Sequence, residues 1–389
     1  MKALVNILNI WYDELTNIMK DRGILIFIFF VPLFYPILYS YIYTNELVRE
    51  VPVALVNDSH SELSRKFVRK MNASPDVVVY NNYNDMNEAY KALERRDVFG
   101  IIHIPASLDR DLGKGKQVNI GVYCEMSSML YYKAILLTAT NVSLEMNKGI
   151  KVKRYLPGTT REQENIMRTP IEYEYIPYYN TQSGFASFLI PPVLMLIIQQ
   201  TLLLSIGMSM GGVRENHMGS IIPANRFYKN PFQIVAGRSL VYFMIYLVLA
   251  IYMFVFVNKW FSLPCIGEYS TFLGFIIPFL LSCIFFSIAL STFIYRREDC
   301  IMLYVFLSVP LLFLSGISWP GVSIPAIWKY ISYIFPSTFG INGYVRVSSM
   351  GATLDTIRFE YIGLWIQTGV YFILSCVMYK RQIVNMVKK

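Results

Sequence analysis

Long apolar runs constrain the fold of this chain more than any other feature of its sequence. The first run, residues 23–43, contains no charged residue, and it is long enough to cross a hydrocarbon core of about 30 Å as a helix. Further runs of comparable hydropathy follow in the second half of the chain, at residues 185–210, 234–257, 272–295, 301–318 and 362–379. These runs predict an α-helical polytopic membrane protein with six transmembrane helices.

The overall composition agrees with a membrane location. Of the 389 residues, 54% are hydrophobic and only 16% are charged, which is too apolar for an ordinary soluble chain. The formal net charge is +9, but lysine and arginine cluster beside the apolar runs and do not form one basic face. We attribute the excess to membrane orientation and expect no nucleic-acid partner.

The position of these basic residues predicts how the chain is oriented. They are frequent at both termini, between the second and third runs and between the fourth and fifth, and they are rare in the opposite short loops. We count Arg238, near the start of the third run, with the first group. Because cytoplasmic loops carry an excess of lysine and arginine, we predict a multi-pass protein of the bacterial inner (cytoplasmic) membrane, with both termini cytoplasmic and residues 44–180 outside.

An amphipathic helix is predicted for residues 1–22, directly before the first span at residues 23–43. Polar residues occupy one side of this segment, and apolar residues recur on the other at spacings of four and three: Leu4, Leu8, Trp11, Leu15 and Ile18. The direct join to a span favours an interfacial helix that lies along the membrane. The alternative is a small cytoplasmic helix packed on protein.

Residues 44–180 change to a pattern of short apolar strands separated by helical stretches. Ser61 is a candidate N-cap for the first of these helices, and a longer helix is predicted for residues 129–147. A helix at 161–168 and a short strand at 171–175 are expected next. The predicted strands are residues 53–56, 77–80, 99–104 and 118–123. We therefore predict an inserted extracytoplasmic α/β domain, followed by a five-helix membrane domain at 181–389.

The sequence contains no recognisable catalytic set. His103 alternates with isoleucines and is expected to be an outward-facing strand residue, and residues 113–116 lack the spacing of a phosphate loop. The five cysteines form no CxxC pair and have no histidine at ligand spacing, so neither a zinc site nor a disulfide framework is indicated; pairing of Cys124 with Cys265 stays open. An enzyme is therefore the weakest interpretation, and no catalytic residue, cofactor or metal is assigned to this chain.

The middles of the predicted spans carry no ionisable residue, although ion-coupled carriers commonly keep such groups there. A secondary carrier is therefore disfavoured. Gln199, Gln200 and Ser205 are polar residues in the second span, and they either bond between helices or line a transport path.

One motif lies in the predicted cytoplasmic loop, residues 212–233. Arg214 and Glu215 precede Gly219 and Ser220, and a Gly-Arg pair at 237–238 opens the third span. The loop resembles that of the permease subunits of ABC-type exporters, whose ATPase is a separate polypeptide. The resemblance implies a coupling helix that is received by the ATPase and contacts it through Arg214, Glu215, Gly219, Ser220 and Arg226.

A second motif follows the fifth span and is similar to a proline-containing run in the same family. It consists of Ser315, Gly316, Trp319, Pro320, Pro325 and Pro336. Several prolines preclude one straight helix, and the resemblance implies a re-entrant outer segment at 316–345. The alternative is an ordinary extracytoplasmic loop with turns.

The resemblance extends nearly end to end and includes the branch with an α/β domain between the first two spans. It implies an ABC ATPase subunit that binds ATP and Mg, a second permease in a homo- or heterodimer, membrane lipid, and a periplasmic adaptor with an outer-membrane channel. Efflux of an amphiphile such as a drug, lipid or lipopeptide is the expected function. The alternative is a membrane-anchored receptor or scaffold whose outer domain binds a ligand or partner.

Overall fold

The computed structural model describes residues 2–155, 178–180, 184–216, 230–316 and 318–387. The chain divides into two compact units, one formed by residues 1–46 and 177–389 and the other by residues 47–176. The helix predicted at 161–168 and the strand predicted at 171–175 lie outside the described residues.

Two consecutive helices begin the first unit, α1 (Lys2–Lys20) and α2 (Arg22–Ile42). Asp21 separates them, and its Oδ1 accepts hydrogen bonds from the backbone N–H groups of Gly23 at 3.0 Å and Ile24 at 3.3 Å. These N–H groups have no partner within the helix, so the Asp21 side chain caps α2. The amphipathic segment and the first span are therefore distinct helices.

The unit at 47–176 is an α/β structure, as the strand and helix pattern predicts. Its four-stranded sheet has the order β2-β1-β3-β4; β1 is parallel to β2 and β3, and β4 is antiparallel to β3. In chain order the elements are β1 (Val51–Asn57), α3 (Glu62–Asn72), β2 (Val77–Tyr83), α4 (Met86–Glu94), β3 (Gly100–Ile104), α5 (Leu108–Gly113), β4 (Gly121–Cys124) and α6 (Met129–Tyr155). Strand β4 begins three residues later than the run predicted at 118–123.

Alternation along β1 explains why helices cover both faces of this sheet. Val53 and Leu55 join a buried apolar cluster with α3 and α6, whereas Ala54 and Val56 join a second cluster with α4. Successive strand residues point to opposite faces, so an uninterrupted apolar run requires cover on both sides. The predicted cap of α3 is confirmed, because the Ser61 hydroxyl accepts a hydrogen bond from the Ser64 N–H at 3.1 Å.

Seven α-helices and one 3-10 helix (Gly321–Ser323) complete the described part of the first unit. The α-helices are α7 (Phe185–Asn216), α8 (Pro231–Trp260), α9 (Tyr269–Ser291), α10 (Arg297–Leu314), α11 (Ala326–Ser332), α12 (Pro336–Met350) and α13 (Arg358–Val387). Five helices of the described residues are long and apolar enough to cross a membrane, namely α2, α7, α8, α9 and α13. The remaining predicted span forms α10, whose first turn carries Arg297, Glu298 and Asp299, and its crossing stays a prediction.

Helix α12 packs against α7, α9 and α13. Most of its residues are buried, and two glycines place its backbone directly against aromatic rings of α9. A Cβ on Gly340 would lie 2.3 Å from the Phe279 ring, and one on Gly343 would lie 2.4 Å from the Phe275 ring. The absence of side chains at these two positions therefore permits the close approach of α12 to α9.

Candidate functional site

The two described residues of the predicted coupling motif lie in the last turn of α7. Arg214 is only 3% exposed, and its guanidinium donates hydrogen bonds to the carbonyls of Ile294 at 2.5 Å and Thr292 at 2.6 Å. These carbonyls follow the C-terminal end of α9, where helices leave acceptors without partners. Arg214 thus ties α7 to the end of α9, and its guanidinium is not presented at the surface.

Glu215 points outward from the same turn and connects three segments. Its side chain is 46% exposed, and its Oε1 accepts a hydrogen bond from the Arg297 N–H at 3.2 Å. The Arg297 side chain in turn lies 2.6 Å from Asp21. Glu215, Arg297 and Asp21 therefore link the end of α7, the start of α10 and the junction between α1 and α2.

Gly219, Ser220 and Arg226 lie outside the described residues. The chain is described again from Asn230, whose Oδ1 accepts a hydrogen bond from the Phe232 N–H at 3.1 Å and caps α8. One turn into this helix, the Gln233 amide oxygen accepts a hydrogen bond from the Asn6 side chain of α1 at 3.2 Å. The far end of the 212–233 segment is therefore held against α1.

A buried ion pair joins α1 to α8. Glu14 is 0% exposed and Arg238 is 1% exposed, and Arg238 Nε lies 3.3 Å from Glu14 Oε2. Glu14 Oε1 accepts hydrogen bonds from the hydroxyls of Ser209 in α7 at 2.8 Å and Tyr242 in α8 at 2.9 Å. The Tyr379 hydroxyl of α13 lies 2.7 Å from Arg238. Four helices thus meet at one charged pair.

The buried face of α1 differs from the apolar stripe that its sequence predicts. Ile10, Glu14 and Ile18 are buried, whereas Leu4 is 65% exposed and Leu8 is 48% exposed. Spacings of four place the first three residues on one helical face, and that face packs on protein. The exposed leucines leave apolar surface on a neighbouring face, which an interfacial helix would place against lipid. One face of α1 therefore packs on protein, and the position of this helix along the membrane stays a prediction.

The charge pattern of the sequence does not reveal this ion pair, because Arg238 falls among the basic residues that flank the spans. The available signal was the position of Glu14 on the α1 face that contains Ile10 and Ile18, since a charge among buried residues needs a partner. Gly237, next to Arg238, permits the contact. A Cβ there would lie 2.9 Å from both the Ile10 side chain and the Ile7 carbonyl.

The three polar residues of the second span, predicted either to bond between helices or to line a transport path, are all buried in α7. Ser205 donates to the Thr201 carbonyl of its own helix at 2.6 Å. Gln199 Oε1 lies 3.9 Å from Cys283 Sγ. Gln200 is 3% exposed, and neither polar atom of its amide has a hydrogen-bond partner within the described part of the chain. The geometry therefore favours a structural role for Ser205, and the role of Gln200 in a path stays a prediction.

The proline motif breaks the chain into short helices, as expected. Pro325 is the N-cap residue of α11 and Pro336 is the first residue of α12, positions where proline is tolerated because its nitrogen needs no helical partner. Gly316 has φ +84°, a left-handed conformation that favours glycine. Asn342 of α12 donates to the Ser315 carbonyl at 3.1 Å. Trp319 and Pro320, in the turn between α10 and α11, are exposed.

Several long apolar helices and a polar junction at the ends of α1, α7, α8 and α10 define a multi-pass membrane protein. A family model described as "ABC-2 family transporter protein" matches residues 22–377. The chain belongs to this family and is a permease subunit of an ABC transporter, a class that works with an ATPase partner. No curated protein matches it.

Proposed function

We propose that the chain is the permease of an ATP-driven exporter, with residues 212–233 as the segment on which the ATPase subunit pushes. The observation that carries the proposal is that the described residues on both sides of 217–229 are attached to α1 or to the α1–α2 junction. Glu215 reaches Asp21 through Arg297 on one side, and Gln233 and Arg238 contact α1 on the other.

This arrangement supplies a physical route for coupling. A displacement of the segment shifts the end of α7 and the start of α8, and Arg214 passes the movement to α9. The Glu14–Arg238 pair passes it to α1 and α13. Packed helices that are joined by buried polar contacts move together and do not deform one by one.

The remaining features of the proposal follow the family expectation. The permease pairs with itself or with a second permease, and ATP and Mg are bound by the ATPase. The chain crosses the inner membrane six times, with α10 as the fifth span, and both termini are cytoplasmic. The cargo is an amphiphile such as a drug, lipid or lipopeptide, which a path containing Gln200 accepts from the cytoplasm or the inner leaflet. The α/β unit at 47–176 is the docking site for a periplasmic adaptor.

Replacing Glu215 with arginine should reduce the amount of ATPase that co-purifies with the tagged permease at least several-fold. The exposed carboxylate is lost, and the new charge also repels Arg297. Proteins recovered from the native membrane in mild detergent are identified and quantified by mass spectrometry. The variant E215Q separates the two causes, because it removes the acidic charge without placing a positive charge beside Arg297 and leaves the Arg297–Asp21 pair intact.

Loss of ATPase from both E215R and E215Q supports direct docking on the Glu215 carboxylate, whereas normal recovery with E215Q assigns the effect of E215R to repulsion of Arg297 and displacement of α10. Recovery of no ATPase even with the wild-type permease would contradict the proposal and favour a membrane-anchored receptor or scaffold.

The proposed orientation predicts that a membrane-impermeant maleimide labels Cys265 in intact spheroplasts. All five cysteines are free; Cys265 is exposed, and Cys283 and Cys300 are buried. Burial also raises the pKa of the Cys124 thiol, so its reactive thiolate is scarce at neutral pH. Labelling should therefore be fast in the wild type and largely absent in C265S. Labelling of Cys265 only after the membrane is permeabilised would place the loop before α9 in the cytoplasm.

A further inference from the structure

A cavity of about 330 Å³ lies in the first unit between the end of α10, the short helices α11 and α12, and the start of α13. Neither the family match nor the coupling segment assigns a role to it. The wall of the cavity is apolar at Leu314, Ile324 and Phe359, and it is charged at Lys329, Arg346 and Glu360. An apolar cavity with a few convergent polar groups is the usual form of a small-molecule site.

Glu360 supplies the first sign that this cavity receives a ligand. Its side chain is 7% exposed, and its Oε1 lies 3.1 Å from the Arg346 guanidinium. Its Oε2 is buried and has no hydrogen-bond partner within the described part of the chain. The carboxylate therefore has one partner, Arg346, within the described part of the chain, and a ligand in the cavity with an N–H or O–H donor would supply a second.

The basic residues at the cavity set a second requirement for its ligand. Lys329, on α11, lines the same cavity, and no carboxylate lies within ion-pair distance of its ammonium among the described residues. Arg346 pairs only with Glu360 in that part of the chain. Two cations therefore share one carboxylate, which leaves the cavity with a positive excess. A matching ligand carries an anionic group as well as a donor.

We propose that this cavity binds the headgroup of a zwitterionic amphiphile that carries both a phosphate and a primary ammonium, as an aminophospholipid does. The ammonium pairs with the Glu360 carboxylate, and the phosphate pairs with Lys329 and Arg346. The acyl chains lie along Leu314, Ile324 and Phe359. The inference concerns binding alone, so it holds or fails independently of the export proposed above.

The test uses the full chain, purified in a non-ionic maltoside, and short-chain lipids that share their dihexanoyl tails. Isothermal titration calorimetry compares phosphatidylethanolamine with phosphatidylcholine, whose quaternary ammonium has no N–H donor, and with phosphatidylglycerol, which has no ammonium. We expect the ethanolamine lipid to bind about tenfold more tightly than either, the value of one charge-assisted hydrogen bond. Equal binding of the three lipids would overturn the proposal.

Soluble glycerophosphoethanolamine distinguishes a membrane lipid from a soluble zwitterion. It presents the same headgroup without tails, and we expect it to bind at least tenfold more weakly because the apolar wall is left unused. Binding as tight as that of the lipid would overturn the assignment of an amphiphile.

Two variants locate the site. E360Q should remove the preference for the ethanolamine lipid, and K329Q should weaken the ethanolamine and glycerol lipids alike. K259Q, an exposed lysine in the last turn of α8, serves as the matched control and should bind like the wild type. Thermal unfolding is followed in parallel, and K329Q keeps the test decisive if E360Q loses its fold, because Lys329 lies at the surface. Unchanged binding by K329Q would contradict the site.

Discussion

Replacement of Glu14 by leucine should lower the free energy of unfolding of the purified permease by about 3–5 kcal/mol, the usual cost of removing one partner of a buried ion pair. The variant leaves the Arg238 guanidinium in place without its carboxylate, between α1, α7, α8 and α13. The hydroxyls of Ser209 and Tyr242 lose their acceptor at the same time. Denaturant unfolding in a fixed detergent measures the effect.

Asp13 provides a matched control in the same helix. It is only partly buried, and D13L removes the same charge and introduces the same side chain, but it breaks no ion pair among the described residues. We expect a loss of less than about 1 kcal/mol. Equal losses from E14L and D13L would show that the Glu14–Arg238 pair does not anchor α1.

The double variant E14L/R238M separates the ion pair from simple packing. Replacing a buried charged pair by apolar residues of similar volume is often neutral for stability, so most of the loss in E14L should be recovered. If the pair also carries movement from the coupling segment, the double variant should be stable yet deficient in ATP-dependent transport. Full transport by a stable E14L/R238M permease would contradict that coupling role.

Replacement of Gly340 by alanine should destabilise the permease by about 1–3 kcal/mol, the range for overpacking a well-packed core. The added Cβ would lie 2.3 Å from the Phe279 ring and 3.2 Å from Met195. Phe279 is 0% exposed, so its ring has little room to move. Helix propensity favours alanine over glycine by about 1 kcal/mol, and the steric effect should exceed it.

Gly369 in α13 is the control for this second change, since a Cβ there meets no atom within 4 Å. We expect G369A to match or exceed the wild type in thermal stability, because only the helix-propensity effect remains. A G340A permease as stable as G369A would show that α12 and α9 separate easily. Such a result would also weaken the assignment of a fixed buried segment at 336–350.

The elements that sequence reasoning predicted well are those with local causes. The α/β pattern of 51–124 follows from apolar strands and a serine cap, and the short helices α11 and α12 begin where Pro325 and Pro336 permit. Five predicted spans form helices that are long and apolar enough to cross a membrane. Each of these signals is contained within a few consecutive turns or strand residues.

The functional contacts depended on residues far apart in the chain. The motif predicted Arg214 and Glu215 as a pair, yet the structure buries the first against carbonyls beyond α9 and places the second beside Arg297. Both residues lie in the last turn of α7, so their spacing does not predict that Arg214 is buried and Glu215 is exposed. The difference depends on which end of a neighbouring helix packs against each residue.

The sequence by itself determined the class of this protein. Its long apolar runs and their flanking charges specify membrane helices, because a helix satisfies its own backbone hydrogen bonds where lipid offers no partner. Only the tertiary structure decided which charges became partners. Glu14 and Arg238 meet because Gly237 lets α1 approach α8, and Glu360 faces a cavity because α12 and α13 converge on it. Burial of a charge depends on the packing of distant segments, and a linear pattern does not contain that information.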